Sequence, residues 1–140
     1  VHMSREETPS LDEKFLLDWG ARIGAAARSE NVGSTQLENL IASLDSLSGR
    51  ESLLLTAAFA LRQAERLKSG RNTAKLVSKA MLELYRRNAG KDEARKVLGF
   101  AKWVYEALRE GIRGNLEQLT LEQVLGHLAG ERIGPALRRS

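Results

Sequence analysis

The sequence predicts an all-α protein, a compact bundle of five main helices with a short C-terminal helix. Three observations predict it. The 140 residues include only two prolines and 5% aromatics, and Ala, Leu, Glu, Arg and Lys are abundant, a composition that favours helix over strand. Apolar residues recur at i, i+3, i+4 and i+7 in successive segments. Between those segments stand glycines and Ser/Thr-x-x-Glu/Gln quartets, the punctuation of helix ends and helix starts.

The first helix is expected to open at Ser10, where Ser10-Leu11-Asp12-Glu13 has capping-box spacing. Its apolar stripe is Leu11, Phe15, Trp19, Ile23 and Ala26 or Ala27. Gly20 and Gly24, one turn apart, predict close approach of a neighbouring helix, because the segment is too polar for a membrane dimer. After a turn at Glu30 to Gly33, Ser34 or Thr35 caps a second helix carrying Leu37, Leu40, Ile41, Leu44 and Leu47 on one face and ending at Ser48-Gly49. The third is expected from Arg50 to Ser69, with a stripe of Leu53, Leu54, Ala57, Leu61, Ala64 and Leu67 and with Gly70 as its stop. Asn72 would cap the fourth, which buries Leu76, Val77, Ala80, Met81 and Leu84 and closes at Gly90. The fifth is expected from Asp92 to Ile112, lined by Val97, Leu98, Ala101, Val104, Tyr105, Leu108 and Ile112. Thr120-Leu121-Glu122-Gln123 begins the short sixth, with Leu121, Val124, Leu125 and Leu128 on its face.

The chain divides into residues 1–9, a tag-like remnant (Val1-His2-Met3) and a flexible N-terminus; 10–113, the bundle; and 114–140, a C-terminal extension. There is no cysteine, so neither disulfides nor thiolate metal sites arise. No apolar run reaches a membrane-spanning length and no signal peptide is recognisable, so a cytoplasmic location and no membrane contact are expected.

Charge is the most informative property. The net charge is +4, yet residues 50–113 hold 15 Lys and Arg against 7 Asp and Glu, whereas residues 1–49 hold 4 against 8. A basic middle of this kind points to a polyanion. On helical spacing the candidate contacts are Arg62 and Arg66 on the third helix, Arg71, Lys75, Lys79, Arg86 and Arg87 on the fourth, and Arg95, Lys102 and Arg109, continued by Arg113, as a ridge along the fifth. Binding through them would be counterion release with little base readout.

Catalysis finds no such support. His127, the one histidine beyond the remnant, has no nucleophile arranged beside it. Asp12-Glu13 and Asp92-Glu93 stand at helix starts, where the macrodipole explains them. Lys68-Ser69-Gly70-Arg71 lacks phosphate-loop spacing. No enzyme activity, cofactor or metal is expected. Phe100 and Trp103 could stack on a base or pack against a neighbouring helix or a second subunit.

Three stretches in order carry a resemblance. Gly33-Ser34-Thr35-Gln36-Leu37-Glu38-Asn39-Leu40 is similar to a Thr/Ser-Gln-Leu-Arg helix start, Ala58-Phe59-Ala60-Leu61-Arg62-Gln63 to an Ala-Tyr-x-x-Arg segment, and Phe100 to Leu108, with Tyr105-Glu106-Ala107, to a Phe-Glu-Ala segment. Over about residues 11–110 the chain thereby resembles the small helical subunit of type III-A CRISPR interference (Csm) complexes. The related small subunits of type III-B and type I-A complexes are also helical and basic, and the resemblance leaves them open. It implies a non-catalytic structural subunit of an RNA-guided ribonucleoprotein. Such a subunit contacts CRISPR RNA and target RNA along the backbone, other effector subunits, and further copies of itself. Arg62 matches position for position. Glu38 stands where the family has Arg, and Leu54-Leu55-Thr56 where it has a basic, proline-containing helix start, so no RNA contact carries over to those places. The alternative is a helical protein–protein adaptor whose basic face meets an acidic partner.

Overall fold

The computed structural model describes residues 12–130 and the backbone of 137–139. Its elements are α1 (Glu13–Ser29), α2 (Ser34–Ser43), α3 (Glu51–Leu67), α4 (Arg71–Arg86), α5 (Lys91–Ala107), β1 (Ile112–Gly114), a 3-10 turn (Leu116–Gln118), α6 (Leu121–Leu128) and β2 (Leu137–Arg139). The expected bundle of five main helices and a short sixth is what forms. The tail adds a two-stranded antiparallel ribbon, with Ile112 opposite Arg139 and Gly114 opposite Leu137.

The organising element is α1. It packs on α5 most extensively and on α4 as well, while α3 leans mainly on α4, and α2 bridges α3 and α5. From Gly20 to Ala27 only Arg22 of α1 escapes burial, because the run is built of small residues around Ile23. The two glycines are the reason α5 comes so close. A Cβ on Gly20 would stand 2.6 Å from Phe100 Cβ, and one on Gly24 would stand 2.5 Å from the Ala101 carbonyl oxygen, both well inside contact distance. A single core joins Ile23, Leu37, Leu44, Leu53, Leu76, Val77, Met81, Leu84, Val97 and Leu108.

Several helix ends lie elsewhere than expected. Asp12 caps α1, its carboxylate accepting the Phe15 N–H at 3.0 Å; Ser10 and Leu11 lie outside the described residues. Gly33, not Ser34 or Thr35, is the N-cap of α2, and Gln36 Oε1 accepts its N–H at 3.2 Å. α2 stops at Ser43, whose hydroxyl donates to the Leu40 carbonyl and meets the buried Thr56 hydroxyl of α3, each at 2.7 Å. Leu47 therefore falls beyond the helix and is exposed. On α3 the buried face is Leu53, Thr56, Ala57, Ala60 and Ala64; Leu61 is 50% exposed and Leu67 is exposed too. The small side chains let α4 approach, so the leucines on either side stay in solvent. Lys68, in the left-handed conformation at φ 56°, ends α3, and Gly70 at φ 77° starts α4. The start of α4 is not capped by Asn72. The Glu30 carboxylate, from the end of α1, accepts N–H bonds from Asn72 at 3.0 Å and Thr73 at 2.7 Å and the Thr73 hydroxyl at 2.6 Å, placing a negative charge where the helix dipole favours it. α4 ends at Arg86 with Asn88 left-handed (φ 64°), and Gly90 becomes the N-cap of α5 with Glu93 accepting its N–H at 2.9 Å.

The largest departure is the end of α5. Leu108 and Ile112 are buried as expected, but the helix stops at Ala107 and both reach the core on extended backbone. The Arg28 guanidinium takes the Tyr105 carbonyl at 2.8 Å, and the Ser29 hydroxyl bonds both the N–H and the carbonyl of Ile112. The segment after it folds back onto α1. Leu116, Leu119 and Val124 are buried, and Arg22 Nε donates to the Leu119 carbonyl at 2.7 Å. Thr120 caps α6 as expected, exchanging bonds with Gln123 in both directions.

Candidate nucleic-acid interface

The cations of the basic middle separate into two sets. Those of α5 are used within the protein. Lys91 donates to the Leu47 carbonyl at 2.9 Å, Arg95 meets Asp45 at 2.5 Å and Asp92 at 3.7 Å, and Lys96 meets Glu13 at 3.2 Å. Lys102 meets Glu38 at 2.8 Å and Glu106 at 3.9 Å. Glu38 holds the Lys102 ammonium above the ordinary lysine range, first through their hydrogen bond and then through its charge. Three of these acids (Glu13, Glu38, Asp45) come from the acidic first part of the chain. The charge asymmetry read along the sequence is thus partly cancelled by folding.

The expected ridge along α5 does not form. Arg95 and Lys102 do share a side, but that side carries acidic partners from α2 and the loop after it. Arg109 lies in the bend past the end of the helix and Arg113 on β1. Arg87 is equally committed: it pairs with Glu83 one turn back and lies 4.6 Å over the Phe15 ring. Arg50 serves as a C-terminal clamp, donating to the Ala89 and Tyr85 carbonyls at the end of α4 and stacking 4.5 Å over the Tyr85 ring.

The remaining helix-borne cations lie on the α3–α4 hairpin. Arg62 and Arg66 project from α3 opposite its alanine face, exposed and with no ion pair among the described residues. Lys75, Lys79 and Arg86 are exposed on α4 opposite its core face, one and three turns apart, so they form a single row. Lys75 and Arg86 likewise make no ion pair among the described residues. Arg71, at the start of α4, lies 3.7 Å from Glu65 with both side chains 70% exposed, an interaction of little strength. The two helices pack side by side, with Arg62 and Arg66 on the side of α3 away from its alanine face and the α4 cations on the side of α4 away from its core face. Of the ten candidates, Arg62, Arg66, Arg71, Lys75, Lys79 and Arg86 stand exposed on the α3–α4 hairpin, whereas Arg87, Arg95, Lys102 and Arg109 lie elsewhere or are paired within the protein.

One member of the row has a distant partner that sequence reasoning missed. Lys79 Nζ lies 2.9 Å from Glu117 Oε2, on the 3-10 turn. The hydrogen bond from Lys79, then its charge, and more weakly the charge of Lys75, hold the Glu117 carboxyl below the usual carboxylate range. Nothing in the local pattern around Glu117 signals this, because the partners are 38 residues apart in sequence.

Of the aromatics, Phe59 packs against the core, whereas Trp103 is 70% exposed with its ring centroid 6.0 Å from that of Phe100. Among the described residues no group of three His, Asp or Glu side chains is placed to hold a metal ion, and no helix is long and apolar enough to cross a membrane. No family model matches this chain, no curated protein matches it in sequence, and no solved structure matches it in fold.

Proposed function

We propose that this protein is a non-catalytic structural subunit of an RNA-guided CRISPR effector ribonucleoprotein, and that it grips the guide–target nucleic-acid backbone through the α3–α4 face. The observation that carries the reading is the separation of the cations. Folding consumes those of α5 in internal pairs and leaves Arg62, Arg66, Lys75 and Arg86 pointing outward without acidic partners among the described residues. A row of cations spaced by helical turns suits a phosphate chain, whose charges also repeat and are read without base contacts. The three-segment resemblance, with Arg62 matching position for position, supplies the biological setting: CRISPR RNA and target RNA as ligands, other effector subunits and further copies of this chain as neighbours, in the cytoplasm.

The test is charge reversal on the full-length protein. Arg62→Glu with Lys75→Glu and Lys79→Glu is expected to abolish binding of short RNA or single-stranded DNA at low salt. The circular dichroism spectrum should be unchanged, because all three side chains are exposed. Each cation lost should also flatten the plot of log K against log salt by roughly 0.7 for a single strand. Unchanged binding in the triple variant would remove this face as the site.

A second reading has one observation in its favour. Leu55 and Leu61 are exposed on α3 beside Arg62, and a phosphate backbone has no use for them. A helical adaptor meeting an acidic, partly apolar protein surface would use both. It would show no nucleic-acid affinity even at low ionic strength.

A further inference from the structure

The Glu117 carboxylate is set against the cationic row by the fold itself. Leu116 and Leu119, on either side of it, are buried. Asn115 Oδ1 accepts the Glu117 N–H at 3.0 Å, and the Leu119 carbonyl accepts Arg22 Nε at 2.7 Å. The turn is therefore capped locally by Asn115 at its start and tied to α1 through Arg22 at its end, and Glu117 is the residue it holds outward, 48% exposed, over Lys79. Ion pairs on one helix follow from sequence spacing. This one is brought together by the return of the tail across the bundle. A carboxylate oxygen 2.9 Å from an ammonium occupies the position that a phosphate oxygen would take on the same lysine.

We infer that Glu117 is a built-in competitor of phosphate, an autoinhibitory contact that occupies the Lys75–Lys79 part of the α3–α4 face until a polyanion displaces it. The inference rests on the nucleic-acid reading above and names the regulation of that same surface. An anion repeating along a backbone engages the whole row and outcompetes one carboxylate. An isolated anion meets Lys79 already neutralised. The contact thereby raises the threshold for short or singly charged ligands more than for long ones.

The experiment uses full-length protein and a labelled single-stranded RNA, titrated by fluorescence anisotropy at several KCl concentrations. Glu117→Gln keeps the side chain's size and removes its charge. It is expected to bind about two- to fivefold more tightly than wild type, the range that an exposed ion pair governs. Its salt dependence should be steeper by roughly 0.7 in log–log slope, one further counterion released. Glu122→Gln, an exposed acid on α6, adds the same net charge away from Lys79 and should give a clearly smaller gain. In a Lys79→Gln background the Glu117→Gln gain should vanish, since the coupling runs through that pair. Equal gains from E117Q and E122Q, or no gain from E117Q while R62E/K75E/K79E abolishes binding, would overturn the competitor and leave the nucleic-acid reading intact. Binding that ignores R62E/K75E/K79E, or no binding by any variant including E117Q at low salt, would overturn both.

Discussion

Gly24 and Gly99 show how unlike two helical glycines can be. Gly24 is where α1 touches α5, and a Cβ there would stand 2.5 Å from the Ala101 carbonyl oxygen and 2.9 Å from Val104 Cβ. Backbone and a β-branched side chain cannot step aside cheaply. Gly24→Ala is expected to destabilise the protein by about 1–3 kcal/mol through overpacking. Gly99, in the middle of α5, would place a Cβ in open space. Gly99→Ala should instead stabilise by about 0.5–1 kcal/mol, because alanine loses less backbone entropy in a helix. Urea midpoints of the two variants should move in opposite directions, and a stabilised Gly24→Ala would refute the close α1–α5 contact. The spacing of Gly20 and Gly24 was legible as a sign of close packing; which helix answers it was not. The same scale explains Glu30. A glutamate at a helix C-terminus is unremarkable in sequence, yet it caps the start of α4, 42 and 43 residues away.

At the scale of elements, the fifth helix separates charge from function. Its apolar face was legible to Val104, since Val97, Leu98, Ala101 and Val104 are all buried. The basic ridge on its other side was equally legible as spacing, but its partners were not. Glu38 and Asp45 stand 64 and 50 residues before Lys102 and Arg95, and only the docking of α2 and its following loop on α5 brings them within reach. Arg95→Gln combined with Lys102→Gln is therefore expected to leave RNA affinity unchanged and to loosen the packing of α2, read as faster amide hydrogen exchange in residues 34–43. A loss of RNA affinity equal to that of R62E/K75E/K79E would place the interface on α5 after all. The pH dependence has a definite sign. Lys102 gains its partner on folding and its pKa is raised, so the pair's contribution is complete below the ordinary lysine pKa and is lost as pH rises through the raised value. Glu117 is depressed, so its pair with Lys79 contributes above the ordinary carboxylate pKa and is lost as pH falls through the lowered one.

At the scale of the whole molecule, Leu116, Leu119 and Val124 are part of the bundle's core. Leu119 is 1% exposed and Val124 is fully buried, and both belong to the same cluster as Ile23 and Leu108. Asp18 of α1 accepts the Leu121 N–H at 2.9 Å and Lys14 at 2.6 Å, tying α6 to the first helix. Leu119→Ala should accordingly cost about 2–5 kcal/mol, the usual range for a buried leucine, measured by thermal or urea unfolding. A change under about 1 kcal/mol would mean that the tail is a separable appendage, since only exposed leucines are that cheap to truncate. Reading 114–140 as an extension follows from the break at Gly114 and from a resemblance that covers only about residues 11–110. Their burial depends on where α1 leaves a gap, which no local pattern encodes.

The number of helices, the apolar face of most of them and the excess of positive charge in the middle of the chain are legible in the sequence alone. These follow from periodicity, capping residues and composition, all of which act within a few residues. Which of those charges remain available depends on how the helices dock. The start of α4 took its cap from Glu30, α5 stopped where Arg28 and Ser29 took up the backbone beyond it, and three of the ten expected contacts, Lys79, Arg95 and Lys102, were paired with acids from other parts of the chain. Ion pairing depends on distances of a few ångströms between residues far apart in sequence. The α3–α4 face and the Glu117 carboxylate set against it are visible only once the bundle has closed.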